Sequence, residues 1–364
     1  MQLAPFPSPR LALYTVKLFL TRSLAVLIAL VLILMMLDLL GESGKILRVP
    51  GNGDAELWRY VSLRLPMLIS RFLPFSILLG TLIAFAGLNQ HSEVVAMKAA
   101  GISAHQLLAP LIIASVGVAA LTFAFNETIV VKSARTVNAW SDNDYKPLPP
   151  TSDIQTNVWV IAGDDLLRVR QVVGRGAGIR AAGLTLYERE AGTLARIIEA
   201  ERGVPTDGAW RVENVRIYDS SRNLVERRPA ARLLDGVEPE RLTLAKADPD
   251  ELDFFTLRER IGQLERAGRS TDAAEAALWH KITGPLSAVL MPLLAAVAAF
   301  GLARSGHVLL RATVGMLLGF AYFVADNFSL AMGNVGAYPP LLAAWAPFVL
   351  FLLIGETVLI RTEE

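Results

Sequence analysis

LAVLIALVLILMML, Leu24 to Leu37, is a run of fourteen residues without a polar side chain, at the heart of a stretch long enough to place the chain in a membrane. The surrounding apolar stretch covers about Leu18 to Leu40. A helix of about 20 such residues crosses a hydrocarbon core of roughly 30 Å. A cleavable signal peptide has a shorter apolar core that closes on small residues. Here the run continues through Met35, Met36 and Leu37, so it reads as a retained membrane helix. The same criterion finds five more spans. They lie at about Ile69–Leu88 (with Pro74 and Gly80 inside), Leu107–Val131, Thr283–Leu302, Val308–Met332 and Leu341–Ile360.

The whole composition agrees. The 364 residues are 53% hydrophobic and 19% charged, with a mean hydropathy of +0.43, against about 45–50% and about 25% in soluble domains. The excess lies in blocks at both ends around a polar middle, which excludes an ordinary soluble enzyme. A net charge of +1 gives no footprint for nucleic acid. Without cysteine there are no disulfides, zinc–thiolate sites, iron–sulfur clusters or thiol nucleophiles. Four scattered histidines offer no metal set.

Orientation follows from Lys and Arg in the short loops. With the N-terminus inside, the cytoplasmic segments hold Arg10, Lys17 and Arg22, then Lys98, then Arg304 and Arg311, then Arg361. The outer loop Gly333–Pro340 carries no charge, although Lys45, Arg48 and Arg59 stand in the first outer loop. The expected fold is therefore a helical membrane protein, three helices plus three, with an all-β domain inserted on the far side.

That domain lies between about 140 and 250, after an N-terminal half at 1–135 and before a C-terminal part at 251–364. Val158 and Val160, then Leu167, Val169, Gln171 and Val173, then Leu184 and Leu186 alternate with a period of two. Val212, Val215 and Ile217 follow with one irregularity. Short strands between Gly- and Asp-rich turns predict an antiparallel sandwich or jelly roll. Leu252 to Ala267 is a helical stretch leading into the fourth span, either a surface helix or an interfacial coupler.

Few motifs carry chemistry. Gly41-Glu42-Ser43-Gly44-Lys45 imitates a phosphate loop, but Leu39 stands where the first glycine belongs and no strand precedes it. No nucleophile elbow, His-Glu-x-x-His helix or dinucleotide fingerprint occurs. His91, His105, His280 and His307 sit near helix ends, where solvated histidine is the plain expectation.

Two features say more. After the second span, Ser92 precedes Glu93-Val94-Val95-Ala96-Met97-Lys98-Ala99-Ala100-Gly101. Ser92 is a cap residue, Glu93 suits the positive end of a helix, and Gly101 supplies a stop. Val94, Met97 and Ala100 or Gly101 share one face. Such a helix, over about 92–101, either docks in a groove of another protein or lies on the membrane surface. The second feature is a set of cations near the outer ends of the first three helices: Lys45 and Arg48, Arg64 and Arg71, Lys132 and Arg135. Singly each would snorkel to the interface; together they suit a polyanionic headgroup, since Arg pairs bidentately with phosphate. Asp326, an acid at membrane depth in the fifth helix, is either functional or solvated at the interface.

Taken together, the chain resembles the LptF/LptG permeases of lipopolysaccharide export over essentially its whole length. The resemblance rests on three features. These are Leu73-Pro74-Phe75 and Leu78-Leu79-Gly80 running into Ser92-Glu93-Val94-Val95-Ala96-Met97, the β domain between helices three and four, and Pro339-Pro340-Leu341 with Ala343-Ala344-Trp345-Ala346-Pro347. The last run leans towards the LptG branch. The resemblance implies a non-catalytic subunit that binds no cofactor or metal of its own. ATP and Mg would sit on a cytoplasmic LptB-like ATPase dimer. It implies a bacterial inner-membrane complex with an LptF-like second permease, lifting lipopolysaccharide towards LptC/LptA-like periplasmic jelly-roll proteins that meet the β domain edge to edge. Ser92, Glu93, Val94, Met97 and Gly101 would belong to the ATPase-coupling helix, and the six outer cations would meet lipid. Helix one, with helix five of the partner, would form a lateral gate. Where such proteins often carry a basic cluster after the first helix, this chain has Asp38-Leu39-Leu40-Gly41-Glu42. The rival readings are the LptF-type subunit and a membrane-anchored scaffold that transports nothing.

Overall fold

A computed structural model describes residues 8–147, 154–162, 164–174, 178–190, 193–206, 208–234, 249–266, 270–301 and 308–363. Six of its helices, or continuous helical stretches, are long and apolar enough to cross a membrane. They are α1 (Pro9–Leu47), α2 (Asp54–Gln90), the stretch α4 (Ala104–Phe125)–π-helix (Asn126–Val130)–α5 (Val131–Asp142), α7 (Asp272–Gly301), α8 (Val308–Asn334) and α9 (Pro340–Glu363). Two shorter helices are α3 (Glu93–Ala99) and α6 (Phe254–Arg266). All six expected spans are present, but most are longer than the apolar runs that announced them. The 39 residues of α1 measure about 58 Å at 1.5 Å per residue, nearly twice the hydrocarbon thickness. The extra turns are the polar ends, where propensity and not hydropathy keeps the helix going.

The chain divides into two units. The first combines residues 1–41, 59–134 and 252–364 and holds the membrane helices. In α1, Thr15, Phe19, Ser23, Val31 and Met35 are buried. These fall every four residues, with one gap, and form one narrow ridge along the helix. Small residues set the closest approaches, as expected where lipid gives helices no hydrophobic reason to associate. A Cβ on Gly80 would run into the backbone of Ser23, one on Gly315 would lie 2.7 Å from Leu82, and one on Gly355 2.7 Å from Leu293. The core gathers Leu78, Phe85 and Leu108 with the alanine-rich face of α7.

The second unit combines residues 42–58 and 135–251. Its sheet has six antiparallel strands in sequence order: β1 (Ile154–Ala162), β2 (Asp165–Val173), β3 (Arg180–Glu190), β4 (Thr193–Thr206), β5 (Ala209–Asp219) and β6 (Leu224–Leu233). The inserted β domain is as expected. Its described strands connect as a meander, without the crossovers of a jelly roll. Period-two alternation carries no information on connectivity. Loop length does: only two residues separate β1 from β2, β3 from β4 and β4 from β5, and two-residue loops make hairpins between neighbours.

The irregularity in β5 is shared by its neighbours. Buried residues flank it at Val169 and Val172 in β2, Ala181 and Leu184 in β3, Ala200 and Gly203 in β4, and Val212 and Val215 in β5. Alternation puts such residues two apart, yet here they are three apart. Pairing stays in register across this line. All four strands therefore swap faces at the same level, a crease across the sheet. Gly183 (φ +65°) and Asn214 (φ +55°) supply left-handed backbone on it.

Candidate functional site

The seven residues of α3 are bracketed by left-handed backbone. Ser92 has φ +59° and its side chain makes no capping bond. This corrects the expected role of Ser92, since a capping hydroxyl reaches the N3 amide from extended backbone. At the other end Gly101 (φ +82°) does stop the helix. Its N–H donates to Lys98 O at 2.9 Å and that of Ile102 to Met97 O at 3.1 Å, a Schellman ending. The capping serine that sequence reasoning missed is Ser103, which accepts from the Gln106 amide while Gln106 accepts from the Ser103 amide. Ser-x-x-Gln ahead of an apolar run was its signal.

The two faces of α3 are also the reverse of a simple docking helix. Val94 and Met97 are buried among Leu88, Leu107 and Leu108. The apolar face anchors α3 on the membrane unit, leaving Val95, Ala96, Lys98 and Ala99 exposed. Glu93 is half-buried and accepts a hydrogen bond from the Tyr14 hydroxyl, 3.3 Å away, at the start of α1. A partner on this surface meets an acidic helix start and a small-residue face.

The six outer cations divide three and three between the units. In the membrane unit Arg64 is taken up by Asp38, Nε at 3.1 Å from Oδ2 and Nη2 at 3.2 Å from Oδ1. The Tyr60 hydroxyl donates to the same carboxylate at 2.6 Å. This bidentate fork ties α1 to α2 and gives Asp38 a role. Arg71 is exposed and has no hydrogen bond or ion pair among the described residues; Lys132 is exposed as well. In the other unit Lys45 pairs with Glu42 at 2.8 Å, and Glu42 accepts from the Tyr145 hydroxyl at 2.7 Å. Arg135 donates to the Glu251 carbonyl at 2.9 Å, and Asn138 donates to the Glu251 carboxylate. Arg48 is exposed and unpaired among the described residues. Arg48 and Arg71 are thus the outer cations without a hydrogen bond or ion pair among the described residues.

A polar node inside the membrane unit escaped the sequence reading. Glu127, in the π-helix, pairs with Lys281 of α7 at 3.3 Å, both side chains being about one-seventh exposed. Glu127 also accepts the backbone N–H of Phe254 at the start of α6. Beside it the Ser70 hydroxyl donates to Asn126 at 2.6 Å. π-bulges gather at functional positions, and the signal available was an acid closing an apolar run. Next to Lys281 in the chain, His280 Nε2 stands 4.0 Å from Asp326. So Asp326 has a partner, and His280 turns inward instead of standing in solvent. His307 and Arg304 lie outside the described residues.

At the start of α6, Asp253 accepts the Thr256 amide at 2.9 Å and its hydroxyl at 2.7 Å. Burial alone would raise the Asp253 carboxyl, but these bonds outweigh it and hold the group below its ordinary value.

Six membrane-crossing helices, a short anchored helix between the second and third, and a β domain inserted midway define a multi-pass membrane protein. The chain belongs to the LptF/LptG family: the family model for the lipopolysaccharide export system permease LptF/LptG matches residues 13–361. Among similar proteins is the lipopolysaccharide export system permease protein LptG of Escherichia coli K12, 25% identical over 351 residues, 93% of this chain and 94% of the relative. The LptG protein of Haemophilus influenzae is 23% identical over 327 residues, 87% and 90% of the two chains. The chain is accordingly a multi-pass inner-membrane permease, and its sheet domain fits the periplasmic side.

Proposed function

We propose that this chain is the LptG-type half of an ATP-driven lipopolysaccharide exporter. An LptB-like ATPase pair binds at α3, an LptF-like permease completes the membrane part, and the β domain passes lipid to LptC/LptA-like jelly-roll proteins. The observation that carries the coupling is α3 itself, fixed from beneath by Val94 and Met97 while Val95, Ala96, Lys98 and Ala99 stay open. Force on the exposed face passes directly into the packing of α2 and α4. ATP and its Mg belong to the partner, and this chain contributes no hydrolytic group. Arg48 and Arg71 are the cations open to an anionic headgroup, while Arg64 holds α1 to α2.

Glu93→Ala tests the reading, because the side chain is only half-buried and its loss leaves Val94 and Met97 in place. Co-expressed with its chromosomal neighbours, the variant is expected in the membrane at normal level. Retention of the ATPase, or its stimulation by the complex, should fall at least several-fold. Unchanged ATPase association and lipid release would dismiss the coupling role. A chain that purifies with no ATPase at all would move the assignment to a scaffold.

A further inference from the structure

The crease across the sheet has an outward side. Where each strand swaps faces, two consecutive residues emerge on the same surface: Arg170 with Gln171, Ala182 with Gly183, Glu201 with Arg202. They line a cleft of about 790 Å³, completed by Thr185, Asn214 and Asn143 and by three further arginines, Arg216, Arg227 and Arg228. Five arginines thus face two acids, Glu199 and Glu201.

Much of this charge is already matched. Arg216 reaches Glu199 at 3.5 Å, Arg228 forks onto Glu226 at 2.7 and 2.9 Å, and Asn214 holds Glu201 at 2.6 Å. Arg170, Arg202 and Arg227 have no such partner among the described residues. Arg170 is also placed: its stem lies across Gly183, where an added Cβ would fall 2.9 Å from Arg170 Cβ and 3.3 Å from Nε. Only a glycine lets that arginine lie flat over β3 towards β4, where Arg202 stands opposite Ala182. Gln171 adds a second, separate indication, since its Nε2 is buried and has no hydrogen-bond partner among the described residues. A shielded donor with nothing to bond is costly unless a ligand or water serves it.

We propose that this cleft binds a saccharide carrying a phosphate or carboxylate. Guanidinium groups match those anions in a planar fork. The Gln171 and Asn214 amides and the Thr185 hydroxyl suit sugar hydroxyls. The volume falls in the range of small-molecule sites and exceeds what a bare ion fills, and the arginine-rich lining suits a charged group better than an acyl chain. Next along the same surface Trp159 stacks on Tyr187 (6.0 Å, 13°) with Arg168 over the Trp159 ring, a flat apolar border for a sugar ring. The site is independent of α3 and of the outer cations of the membrane unit.

The test uses the full chain in detergent and ligand-observed NMR with glucosamine 6-phosphate. The expected result is saturable binding, absent for N-acetylglucosamine and weakened about ten-fold or more in Arg170→Gln/Arg202→Gln, as for two lost charge-assisted hydrogen bonds. Arg196→Gln, whose native partner is Glu188 at 2.9 Å, should leave binding intact. All three substituted side chains are exposed, so an unshifted melting temperature is expected of each variant. Equal affinity in the double variant, or no saturable binding to the native chain, overturns the site. Inorganic phosphate binding as tightly as the phosphosugar overturns the saccharide assignment. A polyglutamate peptide binding where the phosphosugar does not would overturn it in favour of an acidic polypeptide.

Discussion

α1 and α7 are both apolar enough to cross a membrane, and they lead opposite lives. In its most apolar stretch α1 is 11% buried within the chain, whereas α7 is 78% buried. The more apolar helix by composition is the more exposed one. Lipid tails are as apolar as leucine, so hydropathy reports the bilayer and is silent about packing. What distinguishes the two is side-chain size. α7 presents Ala288, Ala295, Ala296, Ala298 and Ala299, all buried, which let neighbouring backbones close in. α1 presents Leu24, Ile28, Leu32, Ile33 and Met36 outward and touches its neighbours through one ridge.

The strongest attack on this contrast goes through Lys281, the charge α7 turns towards Glu127. Lys281→Met leaves Glu127 without its counter-ion, and removal of one partner of such a pair costs roughly 3 kcal/mol. Denaturant unfolding in micelles should show that loss, and Glu127→Leu in the same chain should recover most of it. A single variant as stable as the native chain would mean that the pair holds nothing together.

Next in size is a swap of packing between the two helices. Ala298 is fully buried and lies 3.0 Å from where a Gly315 side chain would begin. Ala298→Leu should destabilise by about 2 kcal/mol through overpacking. Leu32, 63% exposed, should tolerate Leu32→Ala within about 0.5 kcal/mol in the isolated chain. Equal melting-temperature shifts for the two would erase the distinction between core helix and lipid-facing helix.

The smallest effect concerns the entry to α7. Because the Asp253 carboxyl is held below its ordinary value of 3.8, its cap on α6 contributes fully above that value. The contribution is lost as pH falls through the lower, folded value. Asp253→Ala should cost about 1 kcal/mol near neutrality and nothing extra in strong acid. Hydrogen exchange of the α6 amides at both pH values reads this directly; the same loss at both would deny the carboxylate its part.

The six spans, their polar middle and the existence of α3 were legible because each is a local pattern. The face of α3 was not: i, i+3 spacing of Val94 and Met97 announces an apolar side and says nothing of what covers it. Arg64 with Asp38 and Glu127 with Lys281 were hidden for a related reason. Each pair joins residues 26 and 154 positions apart, and only helix packing brings them together. In the sheet, the odd spacing of Val212 and Val215 was visible in one strand as noise. Only the register, which repeats it in β2, β3 and β4, turns it into a crease with an arginine-rich outer side.

The seven-residue α3 is well below the length at which a helix persists alone in water, about 12 residues or more. Its helicity therefore depends on the floor made by Leu88, Leu107 and Leu108. By linkage the dependence runs both ways: anything that binds only folded α3 also stabilises the arrangement of α2 and α4 beneath it. Conversely, a shift of α2 against α4 that opened this floor would melt the surface a partner recognises. Occupancy outside the membrane and packing inside it become two readings of a single equilibrium.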